Sequence, residues 1–276
     1  MAPIALVALL LPLASAQDPD TGLEREPAKL YATMAAVAFI PPIAYVIFIR
    51  NVERLNREPW SAIFRCFFYG AIFSVIIAIL LEVFFTTNFH REYNLRGLTI
   101  TQEALLVVVA APLVEEFAKG LGVRTVRRHI FELEDGIVYG AAAGLGFSAT
   151  ENLIYEIGTI WEQLNPGLDE KVLPVDYGFL AVGILRSITS SFLHGTASGI
   201  LGYGIGKRYL ERGHLFELLP YYALAVLVHG LFNAFAAFVN FSGAVLGIIF
   251  LSFAAISWTV RRIRRLDRIG AAVPYR

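Results

Sequence analysis

The sequence predicts an all-α, polytopic membrane protein, and three observations carry that prediction. Of the 276 residues 57% are hydrophobic and 17% charged, with a mean hydropathy of +0.61, whereas soluble domains carry about 25% charged residues. Apolar stretches of roughly 18–25 residues recur along the chain, the length an α-helix needs to cross a bilayer. Short charged loops separate them, and the cations concentrate in alternate loops. Together these give about seven transmembrane helices after an N-terminal signal-like segment.

Residues 1–16 (MAPIALVALLLPLASA) read as a secretory signal. Ile4–Leu13 is too short to span, and Ala14-Ser15-Ala16 is a small-residue cleavage site, although the n-region lacks Lys and Arg. Residues 17–29 form a polar, acidic extracytoplasmic tail. The helical bundle then occupies 30–260, with spans at 30–49, 62–86, 102–123, 136–158, 177–206, 219–239 and 242–260. The tight turn Asn240-Phe241-Ser242-Gly243 makes the last two an antiparallel hairpin, and 261–276 is a basic cytoplasmic tail.

Loop charge orients the bundle. Arg50, Arg54, Arg57 and Arg65 follow the first span. Lys119, Arg124, Arg127 and Arg128 surround the end of the third, Lys207, Arg208 and Arg212 follow the fifth, and five arginines from Arg261 to Arg268 follow the seventh. The alternate loops 87–101 and 159–176 are poor in cations. Basic loops stay cytoplasmic. The chain therefore enters its first span from outside and ends inside, as a multi-pass protein of the cytoplasmic (plasma) membrane. An outside start is also what a cleaved signal leaves.

Composition excludes several classes. A formal net charge of zero gives no basis for a nucleic-acid partner, and the single cysteine, Cys66, excludes an intramolecular disulfide or a Cys-rich metal cluster. Gly202–Gly206 (GYGIG) is no phosphate loop, because it lies in an apolar helix with no strand before it. A Gly-x-Ser-x-Gly elbow is absent, although Ser190 and Ser191 precede His194.

Ionisable residues inside the spans carry the functional signal. Glu115 and Glu116 are adjacent within the apolar run Ala104–Gly122. A charge at bilayer depth costs about 2.5–3.5 kcal/mol even on the lenient insertion scale and marks a functional site. Glu151, His194 and His229 lie in later spans. At 1.5 Å rise per residue, Glu115 and Glu116 lie roughly 10–12 Å from the cytoplasmic end, His229 roughly 15 Å, His194 roughly 18 Å and Glu151 roughly 22 Å. Residues of spans three to six can therefore converge in one cavity.

Structural readings compete with each of these. Glu115 and Lys119, four apart, form an ion pair on one helix face. Adjacent helical residues point about 100° apart, so Lys119 is not expected to face Glu116 equally well. Asn152 beside Glu151 can serve as a hydrogen-bond hub between helices. Asn233, one turn beyond His229, can orient that ring or a substrate carbonyl, and Arg186 is a partner for one of the acids. Tyr139, Tyr155 and Tyr203 read as packing or interfacial anchors.

Two histidines with one or two carboxylates suit zinc, with a remaining glutamate as general base. The candidate ligands are Glu116, Glu151, His194 and His229; Glu115, Glu116, His194, His229 and Asn233 are the candidate catalytic set, supported by Lys119, Asn152 and Arg186. Without metal, a buried glutamate can itself deprotonate water while the histidines and Asn233 stabilise the oxyanion. Both routes hydrolyse an amide in or beside the membrane. A non-enzymatic membrane binder and a proton-coupled carrier are the alternatives of other classes, since buried acids and histidines also build proton relays. The carrier predicts inverted repeats or broken helices; the sequence shows no repeat.

At these residues the sequence resembles the PrsW family of intramembrane proteases. The carrying motifs are NREPW (Asn56–Trp60), EEFAK (Glu115–Lys119), DGIVYGAAAGLGFSATENLIYE (Asp135–Glu156), FLHGTASG (Phe192–Gly199) and HGLFNAF (His229–Phe235). The resemblance covers roughly residues 30–240. That family is similar to the CAAX prenyl endopeptidases, which pair a double glutamate with F-x-x-x-H and H-x-x-x-N. Here Glu151 stands four residues after Phe147 where the first histidine belongs, and His229-x-x-x-Asn233 matches the second. The resemblance implies Glu115, Glu116 and His194 as catalytic and Glu151 and His229 as further site members. It also implies membrane-anchored protein substrates, anti-sigma-factor-like in a bacterium.

Overall fold

A computed structural model describes residues 27–88, 93–95, 98–100, 102–164, 177–238 and 241–272. The signal-like segment and most of the polar tail lie outside the described residues. Helix α1 is Pro27–Val52. Helix α2 begins as Trp60–Phe68, passes through a π-helical turn at Tyr69–Ser74 and continues as Val75–Asn88. Helix α3 starts at Gln102–Leu105, takes a second π-turn at Leu106–Ala110 and continues as Ala111–Thr125. Then come α4 (Leu133–Leu164), α5 (Tyr177–Glu211), α6 (Leu219–Phe238) and α7 (Phe241–Ala272).

Two features depart from the sequence expectation. The loop between α2 and α3 contains a small antiparallel pair, β1 (Tyr93–Leu95) with β2 (Leu98–Ile100), registered Tyr93 to Ile100. The basic segment after residue 260 continues α7 to Ala272 rather than leaving the helix as a tail.

Among the described residues, four helices are long and apolar enough to cross a bilayer: Tyr31–Val52, Trp60–Phe85, Leu215–Phe238 and Val245–Ile269. The expected seven are not reached on that measure. The reason is chemical: α3 carries Glu115, Glu116 and Lys119, while α4 and α5 are rich in glycine, serine and other polar residues.

Those polar helices are the inside of the molecule. Every residue of α4 from Glu134 through Ala149 is buried, as is α5 from Leu193 through Gly202. The α4–α5 pair is the most extensive contact in the fold; α1, α2 and α3 pack on α4, and α6 and α7 on α5. Lipid offers no hydrophobic drive between helices, so close backbone approach through small residues holds such a pair. At Gly140 a β-carbon would run into the Ser198 carbonyl of α5. The outer helices turn large apolar side chains outward, among them Ile40, Leu80, Leu246, Phe250 and Phe253. A bare apolar surface of this kind suits lipid, which makes the chain an integral membrane protein.

Both π-turns are tied down by polar side chains from neighbouring helices. Thr150 of α4 donates to the Ala71 carbonyl in the first at 2.8 Å. Asn233 of α6 donates to the Val107 carbonyl in the second at 3.0 Å. Irregular helical backbone in a membrane persists where such partners satisfy the displaced groups.

Candidate functional site

Helices α3, α4, α5 and α6 bring the intramembrane acids and histidines into one buried network. Lys119 is at its centre and fully buried. Its ammonium lies 3.0 Å from Glu115 Oε2, 2.9 Å from Glu116 Oε1 and 2.8 Å from His194 Nδ1. It also rests 4.0 Å above the Phe147 ring. Lys119 therefore bridges both glutamates, against the expectation that it serves only Glu115. Spacings of three and four residues are both neighbours on a helix, and a flexible lysine stem spans the two.

The histidines approach from opposite sides, their rings 4.6 Å apart and nearly perpendicular. His194 accepts the lysine proton on Nδ1, so its Nε2–H donates to Glu151 Oε2 at 3.0 Å. His229 donates from Nδ1 to Glu116 Oε1 at 3.0 Å, and its Nε2 lies 3.7 Å from Glu115 Oε2. One nitrogen of each ring is thus held by a carboxylate at 3.0 Å, and the other meets Lys119 in His194 and Glu115 in His229. Arg186 stands 3.7 Å from Glu151, with its guanidinium over Tyr155.

Three of these residues are close enough together that they could hold a metal ion. Ligand atoms of Glu115, His194 and His229 all lie within 4.8 Å of one another. Of the other expected ligands, Glu116 meets His229 Nδ1 and Lys119, and Glu151 meets His194 Nε2. Metal-bound histidines usually have such a carboxylate on the outer nitrogen, which fixes tautomer and orientation. A set of two histidines and a glutamate also suits zinc. The donors fit a metal ion, and the Lys119 ammonium competes with it for Glu115 and His194.

Asn233 holds the α3 backbone at Val107 rather than His229, and so docks α6 on the π-turn. Asn152 donates toward Ser148 at 3.3 Å and Ser187 at 3.5 Å, joining α4 to α5 as a hub. Ser198 was not foreseen. Its hydroxyl donates to Glu116 Oε2 at 2.8 Å. It lies one turn beyond His194 on the buried face of α5, the same spacing that relates His229 to Asn233, and that spacing was its available signal. Gly144 permits the approach: a β-carbon there would strike the His194 carbonyl and lie 2.7 Å from Ser198 Oγ.

A second group of acids lies where the α1–α2 loop meets the start of α4. Glu53, Glu58 and Asp135 are 0%, 2% and 4% exposed. Burial pushes the Glu53 carboxyl up to about 7 and Glu58 well above the usual range; it raises Asp135 to about 6 despite two backbone N–H groups bound to that side chain.

The profile of the PrsW family of intramembrane metalloproteases matches residues 58–260. Among curated proteins, the chain is 29% identical over 232 residues to a protein named Protease PrsW from Clostridioides difficile, covering 81% of this chain and 86% of that one. A Protease PrsW from Oceanobacillus iheyensis is 25% identical over 73% of this chain and 81% of its own length. One from Bacillus subtilis is 26% identical over 47% and 56% respectively. No solved structure matches the chain significantly. With the match spanning well over half of its length, and every residue of the buried network inside it, the chain belongs to the PrsW family and is an intramembrane protease.

Proposed function

We propose that this protein is a zinc-dependent endopeptidase that cleaves membrane-anchored proteins within or beside the cytoplasmic membrane, with its own C-terminus inside the cell. The observation that carries the reading is the orientation of the two histidines. Carboxylates at 3.0 Å hold one nitrogen of each ring and leave His194 Nδ1 against Lys119 and His229 Nε2 3.7 Å from Glu115.

In this reading Glu115, His194 and His229 hold the zinc ion. When bound, the ion supplies Lewis acidity to the attacking water and the scissile carbonyl. Glu116 is the carboxylate left to take up the water's proton and pass it to the leaving amine, with Ser198 and His229 fixing its position. Glu151 and Arg186 keep His194 in the tautomer that offers Nδ1. Lys119 prevents the two buried carboxylates Glu115 and Glu116 from facing each other uncompensated when the ion is away. The substrates are single-span proteins presenting an extended segment to this cluster, of which an anti-sigma factor is the bacterial example.

A second reading has its own observation. The Lys119 ammonium already occupies the centre of the donor set, with three acceptors at 2.8–3.0 Å. In that case the lysine is the cation, and Glu115 deprotonates water directly. Reconstitution into liposomes with membrane-anchored reporter substrates separates the two. The zinc reading predicts cleavage that a chelator stops and Zn²⁺ restores. Cleavage indifferent to chelation supports the lysine reading, and absence of cleavage for any such substrate contradicts both.

A further inference from the structure

The acids at the α1–α2 loop form a group that the proteolytic site does not use. Glu53 follows the last residue of α1, Glu58 precedes Pro59 at the start of α2, and Asp135 lies in the first turn of α4. Ligand atoms of the three lie within 4.8 Å of one another. The group is remote from the protease site: Asp135 and Glu151 are sixteen residues apart on α4, about 24 Å along its axis.

Acids on a loop are ordinarily solvated, but these are enclosed. Both carboxylate oxygens of Glu53 and both of Glu58 are buried without a hydrogen-bond partner. The arginines beside them are turned to other tasks. Arg57 donates through Nε to the main-chain carbonyl of Glu53 at 2.9 Å, and Arg50 to that of Glu58 at 2.8 Å. The Arg50 guanidinium stacks 4.4 Å over the Trp60 ring. Among the described residues neither arginine forms an ion pair with the three acids. On one side of Asp135, Oδ2 accepts the backbone N–H groups of Phe131 and Glu132 at 2.7 and 3.0 Å, which fixes the side chain on the α4 entry. A cavity of about 470 Å³ opens beside the group, lined by Glu58, Asp135, Glu132, Asn56, His129 and Tyr139.

Acceptors facing acceptors in a buried place need a bound cation or a shared proton, since each uncompensated charge costs several kcal/mol. The donors are all carboxylate oxygens, the hard ligands that suit Ca²⁺ and Mg²⁺ rather than zinc. We propose that Glu53, Glu58 and Asp135 form a binding site for a hard divalent cation, Ca²⁺ or Mg²⁺, which clamps the α1–α2 loop to the start of α4. The bound ion joins three segments that the chain otherwise brings together as mutually repelling acids. The adjacent cavity leaves room for the waters that such ions retain.

The test is calorimetric titration of Ca²⁺, and separately of Mg²⁺, into purified detergent-solubilised protein stripped of metal, paired with thermal melting. Wild-type is expected to bind one of these ions and to melt higher with it. Glu58→Gln is expected to bind that ion at least about tenfold more weakly. Its metal-free form should melt at or above metal-free wild-type, because a buried repulsion is gone. Zinc uptake at the protease site should be the same in both. Asp135→Asn supplies a second reading if Glu58→Gln fails to accumulate. Neither ion binding to wild-type at millimolar concentration overturns the proposal, as does equal binding by wild-type and both variants. A melting rise in wild-type that acidification produces and neither ion reproduces shows a shared proton instead and overturns it as well.

Discussion

Two groups of buried acids lie about 24 Å apart along α4 and differ in how their charge is met. Glu115, Glu116 and Glu151 each have a basic or hydroxyl partner: Lys119 for Glu115 and Glu116, the histidines for Glu116 and Glu151, Ser198 for Glu116 and Arg186 for Glu151. Around Asp135, Glu53 and Glu58 have none. The first group is a closed network whose members fix one another's orientation, as a reaction at a defined atom requires. The second is three acceptors held together by the backbone, a geometry that binds but has no base, no histidine at its centre and no proton donor to a leaving group. Burial alone therefore does not mark a catalytic acid in this protein; the partners do.

The comparison can be broken most severely at the closed network. Glu116→Ala and His194→Ala should each lower cleavage by about 10²-fold or more, the range of a lost general acid–base group, while the protein still fractionates with the membrane. Loss of the protein from the membrane in both variants would assign these residues to folding. Removing the central cation comes next. Lys119→Met leaves Glu115 and Glu116 facing each other, and breaking a buried pair from one side costs about 3–5 kcal/mol. Its melting temperature in detergent should fall, and added Zn²⁺ should restore part of that loss, because the ion takes over the lysine's role.

A smaller effect is expected at the close approach of α4 to α5. Gly144→Ala forces its β-carbon against the His194 carbonyl, and overpacking costs about 1–3 kcal/mol. Cleavage should fall further than the melting temperature implies, since His194 and Ser198 move with α5. The smallest effect on cleavage is expected of Ser198→Ala, which removes one hydrogen bond to the Glu116 carboxylate. It should reduce cleavage several-fold at unchanged zinc content; unchanged cleavage would remove Ser198 from the positioning of Glu116.

Much of the fold could be read from the sequence because its signals are long. A run of apolar residues ending in arginines defines a helix whatever its neighbours do, so the order and approximate limits of α1 to α7 were legible. The depth argument likewise brought Glu115, Glu116, Glu151, His194 and His229 toward one place, because a fixed rise per residue holds across separate helices. Orientation about the helix axis was harder. Lys119 reaches Glu116 through the flexibility of its stem, which a 100° step per residue does not express. The π-turns at Tyr69–Ser74 and Leu106–Ala110 leave no mark in composition, and the second one rotates the start of α3 into reach of Asn233. The grouping of Glu53, Glu58 and Asp135 carried no sequence signal, since nothing in a one-dimensional pattern says that a loop and a helix start will be folded over each other. Their burial is a property of the tertiary structure alone.

The most direct measurement is the metal content of the purified, detergent-solubilised protein by mass spectrometry, prepared without chelator, beside His229→Ala and Glu58→Gln. About one zinc per chain is expected in wild-type and in Glu58→Gln and none in His229→Ala, since Glu115, His194 and His229 would hold it. A wild-type protein free of zinc, or zinc retained undiminished by His229→Ala, would contradict that expectation.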